Sequence, residues 1–345
     1  MLRSCDKSLT VSYDLAMLDL DGVVYVGGSA VPHAPDALAS ARRAGMHVAF
    51  ITNNASRPPA VVADQLNSLG IEADVGDVVT SAQAAAHLVL DRSGPGTRVA
   101  ALGAEGLRDA LTEAGLTPVG VEDEAEAIVT GYGPDVPWRH IMRAAVRIRD
   151  GLWWVATNTD RTIPTPYGTA PGNGVLVETI ARFTGVDPEV AGKPERPLLE
   201  ETIRRIGGTR PLMIGDRLDT DIAGATGLGI DSMLVLTGVS GLGDLLAAPP
   251  DQRPTYLAAD LRGLHEPHPA VEVTTGSAEA DRTARVGGWT ASVRAGELVL
   301  TGAGSRIDWW RAAASAGWLQ LDAAGVPAGA PSPPGEANGA SRLGG

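Results

Sequence analysis

The chain is expected to fold as an α/β protein: a parallel sheet, a second α/β domain inserted into it, and a small C-terminal extension. Three observations predict this. Short apolar runs of strand length alternate with longer helical segments, separated by polar turns, which is the pattern of strands joined by crossover helices. A self-contained alternation occupies residues 81–184, after which the first pattern resumes. Beyond His268 the composition changes, and four of the seven tryptophans fall at 289, 309, 310 and 318.

In chain order, a polar leader precedes a buried strand at 13–20. A Pro- and Ala-rich helix follows near 34–45 and ends at Gly45. Residues 47–52 form a second strand that closes on Asn53-Asn54, and Pro58-Pro59 opens a helix that stops at Gly70. Within the insertion, strands are expected at 98–102, 127–130 and 152–157, with helices near 104–115 and 137–149. After Gly192-Lys193-Pro194 come a helix at 197–207, a strand at 211–214 ending on Gly215-Asp216, a helix at 219–227, and strands at 232–236 and 255–259. The extension, 268–322, reads as a small ββα unit with strands at 289–294 and 297–301 and a helix at 307–321. It is too small to be stable alone and should pack on the main body or a partner. From 325 to 345 the Gly-, Pro- and Ala-rich composition predicts disorder.

A length of 345 residues supports two or three domains, and 44% hydrophobic content reads as globular. No run of eighteen apolar residues occurs, so no membrane span is expected. The N-terminal residues lack an apolar signal-peptide core and Cys5 is the single cysteine, which together point to the cytoplasm. A net charge of −13 argues against a nucleic-acid partner, because phosphate-backbone binding needs a basic face.

Four segments carry chemistry. Asp19-Leu20-Asp21-Gly22 places two carboxylates at the end of an apolar run. One carboxylate can attack phosphorus while the other donates and later accepts a proton; a plain Asp-Gly turn is the alternative. Thr52-Asn53-Asn54 offers a hydroxyl and backbone N–H groups for phosphoryl oxygens, or a simple helix cap. Lys193 between Gly192 and Pro194 can neutralise a carboxylate and a phosphoryl group, although isolated lysines are usually solvated. Gly215-Asp216-Arg217-Leu218-Asp219-Thr220-Asp221 supplies oxygen ligands suited to Mg²⁺, with at least one of Asp219 and Asp221 serving as a helix cap.

In this order the four segments resemble the haloacid dehalogenase (HAD) superfamily of phosphatases, over roughly residues 12–262. The position of the insertion resembles the type IIA, NagD-like subfamily. That resemblance implies a Rossmann-like core from 1–80 and 185–265 with an α/β cap domain at 81–184. It implies Asp19 as nucleophile and metal ligand, and Asp21 as general acid/base with its carbonyl on Mg²⁺. Thr52, Asn53 and Asn54 would bind the phosphoryl group, as would Lys193, which also steadies Asp19. Asp216 would complete the metal ligands, and Asp221 would orient Lys193 or metal-bound water. The extension and the segments at 77–88, 233–239 and 253–256 are similar to bacterial glycerol 3-phosphate phosphatases. This implies a small phosphate ester as partner, most directly glycerol 3-phosphate, and is compatible with a homodimer. Phosphoglycolate, pyridoxal phosphate or a nucleotide monophosphate are the alternative substrates, and a non-catalytic binding protein acting through the extension is the alternative class. Asn158 and Asp160, in the turn-rich 157–160 loop, are expected to read the leaving group, with 171–174 beside them. Arg139, Arg143 and Arg147 share one helical stripe and read chiefly as a solvated face.

Overall fold

A computed structural model describes residues 1–276 and 282–331. The chain divides into two compact units, one formed by Met1–Val48 and the residues from Gly208 onward, the other by Ala49–Gly207.

In the first unit the strands Leu15–Leu18, Pro211–Gly215, Asp231–Val235 and Tyr256–Ala258 lie side by side and parallel, with Leu18 opposite Ile214 and Gly215 opposite Leu234. Leu15-Ala16-Met17-Leu18 is apolar throughout and fully buried, as expected for a strand covered on both faces. The strand stops at Leu18, so Asp19 begins the loop. After Pro211–Gly215 the chain makes a π-helical turn over Leu218–Ile222 before the regular helix Ala223–Leu228, where one helix was expected. Such turns are rare and concentrate at functional sites.

Among the described residues the extension has four antiparallel strands where two were expected: Glu272–Thr274, Thr283–Val286, Trp289–Arg294 and Glu297–Gly302. The helix Arg306–Ala324 packs its Trp309, Trp310 and Trp318 into one apolar cluster with Leu234, Leu245, Leu246 and Leu257, so the extension rests on the main body. The end of the chain, expected to be disordered from 325, is paired at Gly329 with Glu297, and residues 332–345 lie outside the described part.

The second unit starts inside the strand His47–Thr52, which pairs in parallel with Val78–Thr80. Its five-stranded parallel sheet has the order Glu189–Val190, Trp153–Ala156, Ala127–Thr130, Arg98–Leu102, Thr117–Val119. Leu102, Ile128 and Trp154 of this sheet meet Ala144, Ile148, Val177 and Ile180 of the helices Trp138–Arg149 and Asn173–Thr184. The helix Ser81–Ser93 is closed at its start by a capping box between Thr80 and Gln83. Not foreseen from the sequence were this helix, the helix Asn173–Thr184, the hairpin Thr162–Thr165 with Gly168–Pro171, and the short strands Val78–Thr80, Thr117–Val119 and Glu189–Val190. Among the described residues no helix is long and apolar enough to cross a membrane.

Candidate active site

In the first unit the site grows from two parallel strand ends. The Asp19 N–H donates to the Ile214 carbonyl at 2.9 Å, continuing the ladder one residue past the strand. This register brings Asp19 level with the Gly215-Asp216 turn, at the carboxyl edge where open α/β sheets bind ligands. One carboxylate oxygen from each of Asp19, Asp216 and Asp221 lies within 4.8 Å of the other two. Asp216 and Asp221 are buried and Asp19 is half-buried. At that spacing each pair of like charges repels by at least about 3.5 kcal/mol at an effective dielectric of about 20. A divalent cation relieves this, and an all-oxygen set of hard donors fits Mg²⁺.

Backbone without side chains holds these groups. Asp216 Oδ2 accepts the Val239 N–H at 2.6 Å. A Cβ on Gly238 would stand 1.9 Å from that oxygen and one on Gly22 2.5 Å from it. Gly22 also has φ +85°, a conformation side-chain-bearing residues rarely adopt. Asp221 Oδ2 accepts the Arg217 N–H at 3.1 Å, and a Cβ on Gly215 would overlap its carboxylate. Asp21 is exposed in the turn that follows the strand, bridged to Tyr25. Its carboxylate is outside the cluster, whereas Asp221, expected one shell further out, is inside. Asp219 instead pairs with Arg217 through contacts of 2.8 and 3.1 Å. Burial pushes its carboxyl upward, but the Arg217 hydrogen bonds and charge outweigh this and hold it below the ordinary value.

The second unit carries the other residues. Thr52 ends its strand and its Oγ1 accepts the Asn54 N–H at 3.1 Å, while Asn54 Oδ1 accepts the Ser56 N–H and hydroxyl. Asn53 engages the main chain of Lys193 from both sides, accepting its N–H at 2.8 Å and donating to its carbonyl at 3.0 Å. Its amide also donates to Asp160 Oδ1 at 3.1 Å. Asn158 is buried, with Nδ2 on the Asn53 carbonyl at 2.6 Å and Oδ1 on the Asp160 N–H at 3.1 Å. Lys193 is 2% exposed. Asn173, in the 171–174 segment expected beside this loop, donates to the Asn158 carbonyl at 2.7 Å, and Ser81, which sequence reasoning missed, donates to the Asn53 carbonyl at 2.6 Å. The Pro-Gly-Asn-Gly signature at 171–174 read as a turn and is also a helix start. The arginine stripe is partly structural: Arg147 donates to the Val121 and Asp123 carbonyls, and Arg143 pairs with Glu122.

Comparisons with known proteins point to one family of hydrolases. The family model described as haloacid dehalogenase-like hydrolase matches residues 16–117, and the HAD-hydrolase-like model matches residues 190–264. The chain is 44% identical over 261 residues to a D-glycerol 3-phosphate phosphatase from Mycobacterium tuberculosis, covering 75% of this chain and 73% of the relative. It is 34% identical to an acid sugar phosphatase from Staphylococcus aureus, over 72% of this chain and 95% of that one. A crystal structure of glycerol phosphate phosphatase from Mycobacterium tuberculosis in complex with magnesium is similar with a TM-score of 0.81 at 40% identity, covering 90% of this chain and 92% of that chain.

Proposed function

The chain belongs to the haloacid dehalogenase-like hydrolases and is a phosphatase, and on that premise we propose that it hydrolyses glycerol 3-phosphate with Mg²⁺ through an aspartyl-phosphate on Asp19. The observation that supports the chemistry is the cluster of Asp19, Asp216 and Asp221 at two parallel strand ends. The substrate rests on the relative named for D-glycerol 3-phosphate.

Asp19, Asp216 and Asp221 would hold the Mg²⁺, which when bound offsets the charge of the carboxylates and the phosphate. An Asp19 oxygen attacks phosphorus as the bond to the glycerol oxygen breaks, and Asp21 gives its proton to the departing alkoxide. Asp21 then takes a proton from water, whose oxygen displaces Asp19 and releases orthophosphate. The Thr52 hydroxyl, backbone N–H groups of the Thr52-Asn53-Asn54 turn and the Lys193 ammonium bind phosphoryl oxygens, adding positive potential where negative charge is concentrated. An exposed position suits Asp21 to proton exchange with solvent.

Asp19→Asn is expected to lower kcat by at least about 10³-fold while the fold is retained, and chelation of divalent cations should abolish turnover of the native chain. Full activity in either case would sink the mechanism. Ranking phosphate esters by kcat/KM tests the substrate, with glycerol 3-phosphate expected first. The similarity to acid sugar phosphatases makes sugar phosphates the second reading. A sugar phosphate, phosphoglycolate, pyridoxal phosphate or a nucleotide monophosphate at the head of the ranking would replace the substrate and leave the chemistry standing.

A further inference from the structure

Three buried asparagines in the second unit form a one-way chain of hydrogen bonds. Asn173, the first residue of its helix, donates from Nδ2 to the Asn158 carbonyl at 2.7 Å. Asn158 donates from Nδ2 to the Asn53 carbonyl at 2.6 Å. Asn53 clasps the Lys193 peptide, with Oδ1 on its N–H at 2.8 Å and Nδ2 on its carbonyl at 3.0 Å. The four residues are 3, 3, 8 and 2% exposed, so each link of the chain is shielded from bulk water. The direction is forced, because a carbonyl only accepts and a backbone N–H only donates, and flipping any of the three amides breaks the chain.

Close backbone approach keeps the chain short. A Cβ on Gly174 would lie 2.1 Å from the Thr159 carbonyl oxygen, and one on Gly172 2.4 Å from that of Asp160. A Cβ on Gly192 would lie 2.6 Å from the Thr157 carbonyl oxygen and 2.7 Å from Asn53 Oδ1. The 157–160 loop is therefore held on one side by the start of a helix and on the other by the peptide that carries Lys193.

We propose that Asn158 and Asn173 are positioning residues for the phosphate-binding groups. They set the main chain of Asn53, and through it the Lys193 peptide and the Thr52-Asn53-Asn54 turn, from an anchor at the beginning of the Asn173–Thr184 helix. The amide of Asn158 is engaged with protein at both ends, which assigns it to this task and not to contact with the leaving group. The inference rests on the phosphatase reading for what Lys193 and Thr52 do. An error of about 1 Å in placing such a group costs on the order of 10²-fold in rate.

The test uses the full chain with Asn158→Ala, Asn158→Asp and Asn173→Ala. Asn158→Asp keeps the volume and the acceptor for Asp160 while removing the donor, and the Ser81 hydroxyl remains on the Asn53 carbonyl, so the fold has support in these variants. Each Asn158 variant is expected to lose about 10- to 100-fold in kcat/KM. The loss should be equal, within about threefold, for glycerol 3-phosphate and p-nitrophenyl phosphate, because the phosphoryl group and not the alcohol is misplaced. Asn158→Ala with Asn173→Ala should be no worse than Asn158→Ala alone, since residues in one network are not additive. Amide hydrogen exchange at Lys193 should speed up by about tenfold in all three variants, without a matching fall in Tm. A loss confined to glycerol 3-phosphate, unchanged kinetics with both esters, or unchanged exchange at Lys193 would overturn the proposal. Native protein that hydrolyses neither ester refutes the phosphatase reading instead, and the exchange at Lys193 then still decides whether the asparagines position that peptide.

Discussion

Asp219 and Asp221 stand two residues apart, look alike in the sequence and have different fates. The π-helical turn at Leu218–Ile222 places the Asp221 carboxylate with Asp19 and Asp216, whereas Asp219 faces Arg217. Asp221→Asn is expected to raise the Mg²⁺ concentration for half-maximal activity by about 10- to 100-fold, in the range seen when groups around a metal are altered. Asp219→Asn should leave that concentration unchanged within about twofold, because its partner is an arginine on the same turn and an exposed pair of this kind is worth about 1 kcal/mol or less. A titration of activity against Mg²⁺ in the two variants checks both statements. Asp19 and Asp216 were expected from residue type and strand-end placement, Lys193 and Asp221 through the family resemblance. Residue type and spacing alone could not say which of the two later aspartates brings its carboxylate beside those of Asp19 and Asp216, since a cap and a ligand require the same residue types at the same spacing.

At the scale of elements, the helix Arg306–Ala324 is the chief tie between the extension and the sheet. Gly317 sits in its interior, where glycine costs about 1 kcal/mol relative to alanine. A Cβ there would stand 2.3 Å from Leu246 Cδ2 of the neighbouring Leu242–Leu246 helix. Packing therefore overrides propensity, and Gly317→Ala is expected to destabilise by about 1–3 kcal/mol, read from urea unfolding, although it improves the isolated helix. The same helix directs Arg311 into the core, where it donates to the Leu257 carbonyl and to His268 Nδ1 and pairs with Asp308. His268 Nε2 meets the Gly263 carbonyl and its ring lies 4.8 Å from Tyr256, so the imidazole is neutral with its proton on Nε2. Burial lowers its pKa, and Arg311 lowers it further against the opposing Gly263 contact. Below a pH of about 6.5 the unfolded chain binds a proton that the folded chain resists. Stability is thus full above that pH and falls as pH drops through the window between 6.5 and the lower folded value. Thermal melts from pH 7.5 to 5.5 should show this decline, and it should flatten in His268→Gln; an equal slope in that variant counts against the assignment.

For the whole molecule, the extension and the main body share one apolar cluster, with Trp318 0% exposed and its indole N–H on the Leu245 carbonyl at 2.7 Å. Removing residues 269–345 uncovers Leu234, Leu245, Leu246 and Leu257, each worth about 1.5–3 kcal/mol when fully buried. The truncated chain is expected to lose a large part of its Tm or to aggregate, and a Tm unchanged by truncation would show the extension to be a separable module. The tryptophans announced an apolar unit in the sequence. The partner of that unit was not legible, because the residues that receive the helix lie some fifty to eighty-five positions earlier and look like ordinary core leucines.

Backbone chemistry close in sequence was readable without coordinates: strands from apolar runs, turns from glycine and proline, and catalytic types at strand ends in an order that resembles one hydrolase superfamily. Those choices depend on neighbours a few residues away, so the chain itself states them. Tertiary structure alone decided that Asp221 completes the carboxylate cluster and that Asn158 holds the Asn53 main chain. It also decided that Arg311 and three tryptophans fasten the extension. Each of these depends on a partner brought close by the fold; the Asn53–Lys193 clasp spans 140 residues. A hydrogen bond or a packed ring acts over a few ångströms of space, and sequence distance carries no information about which groups meet there.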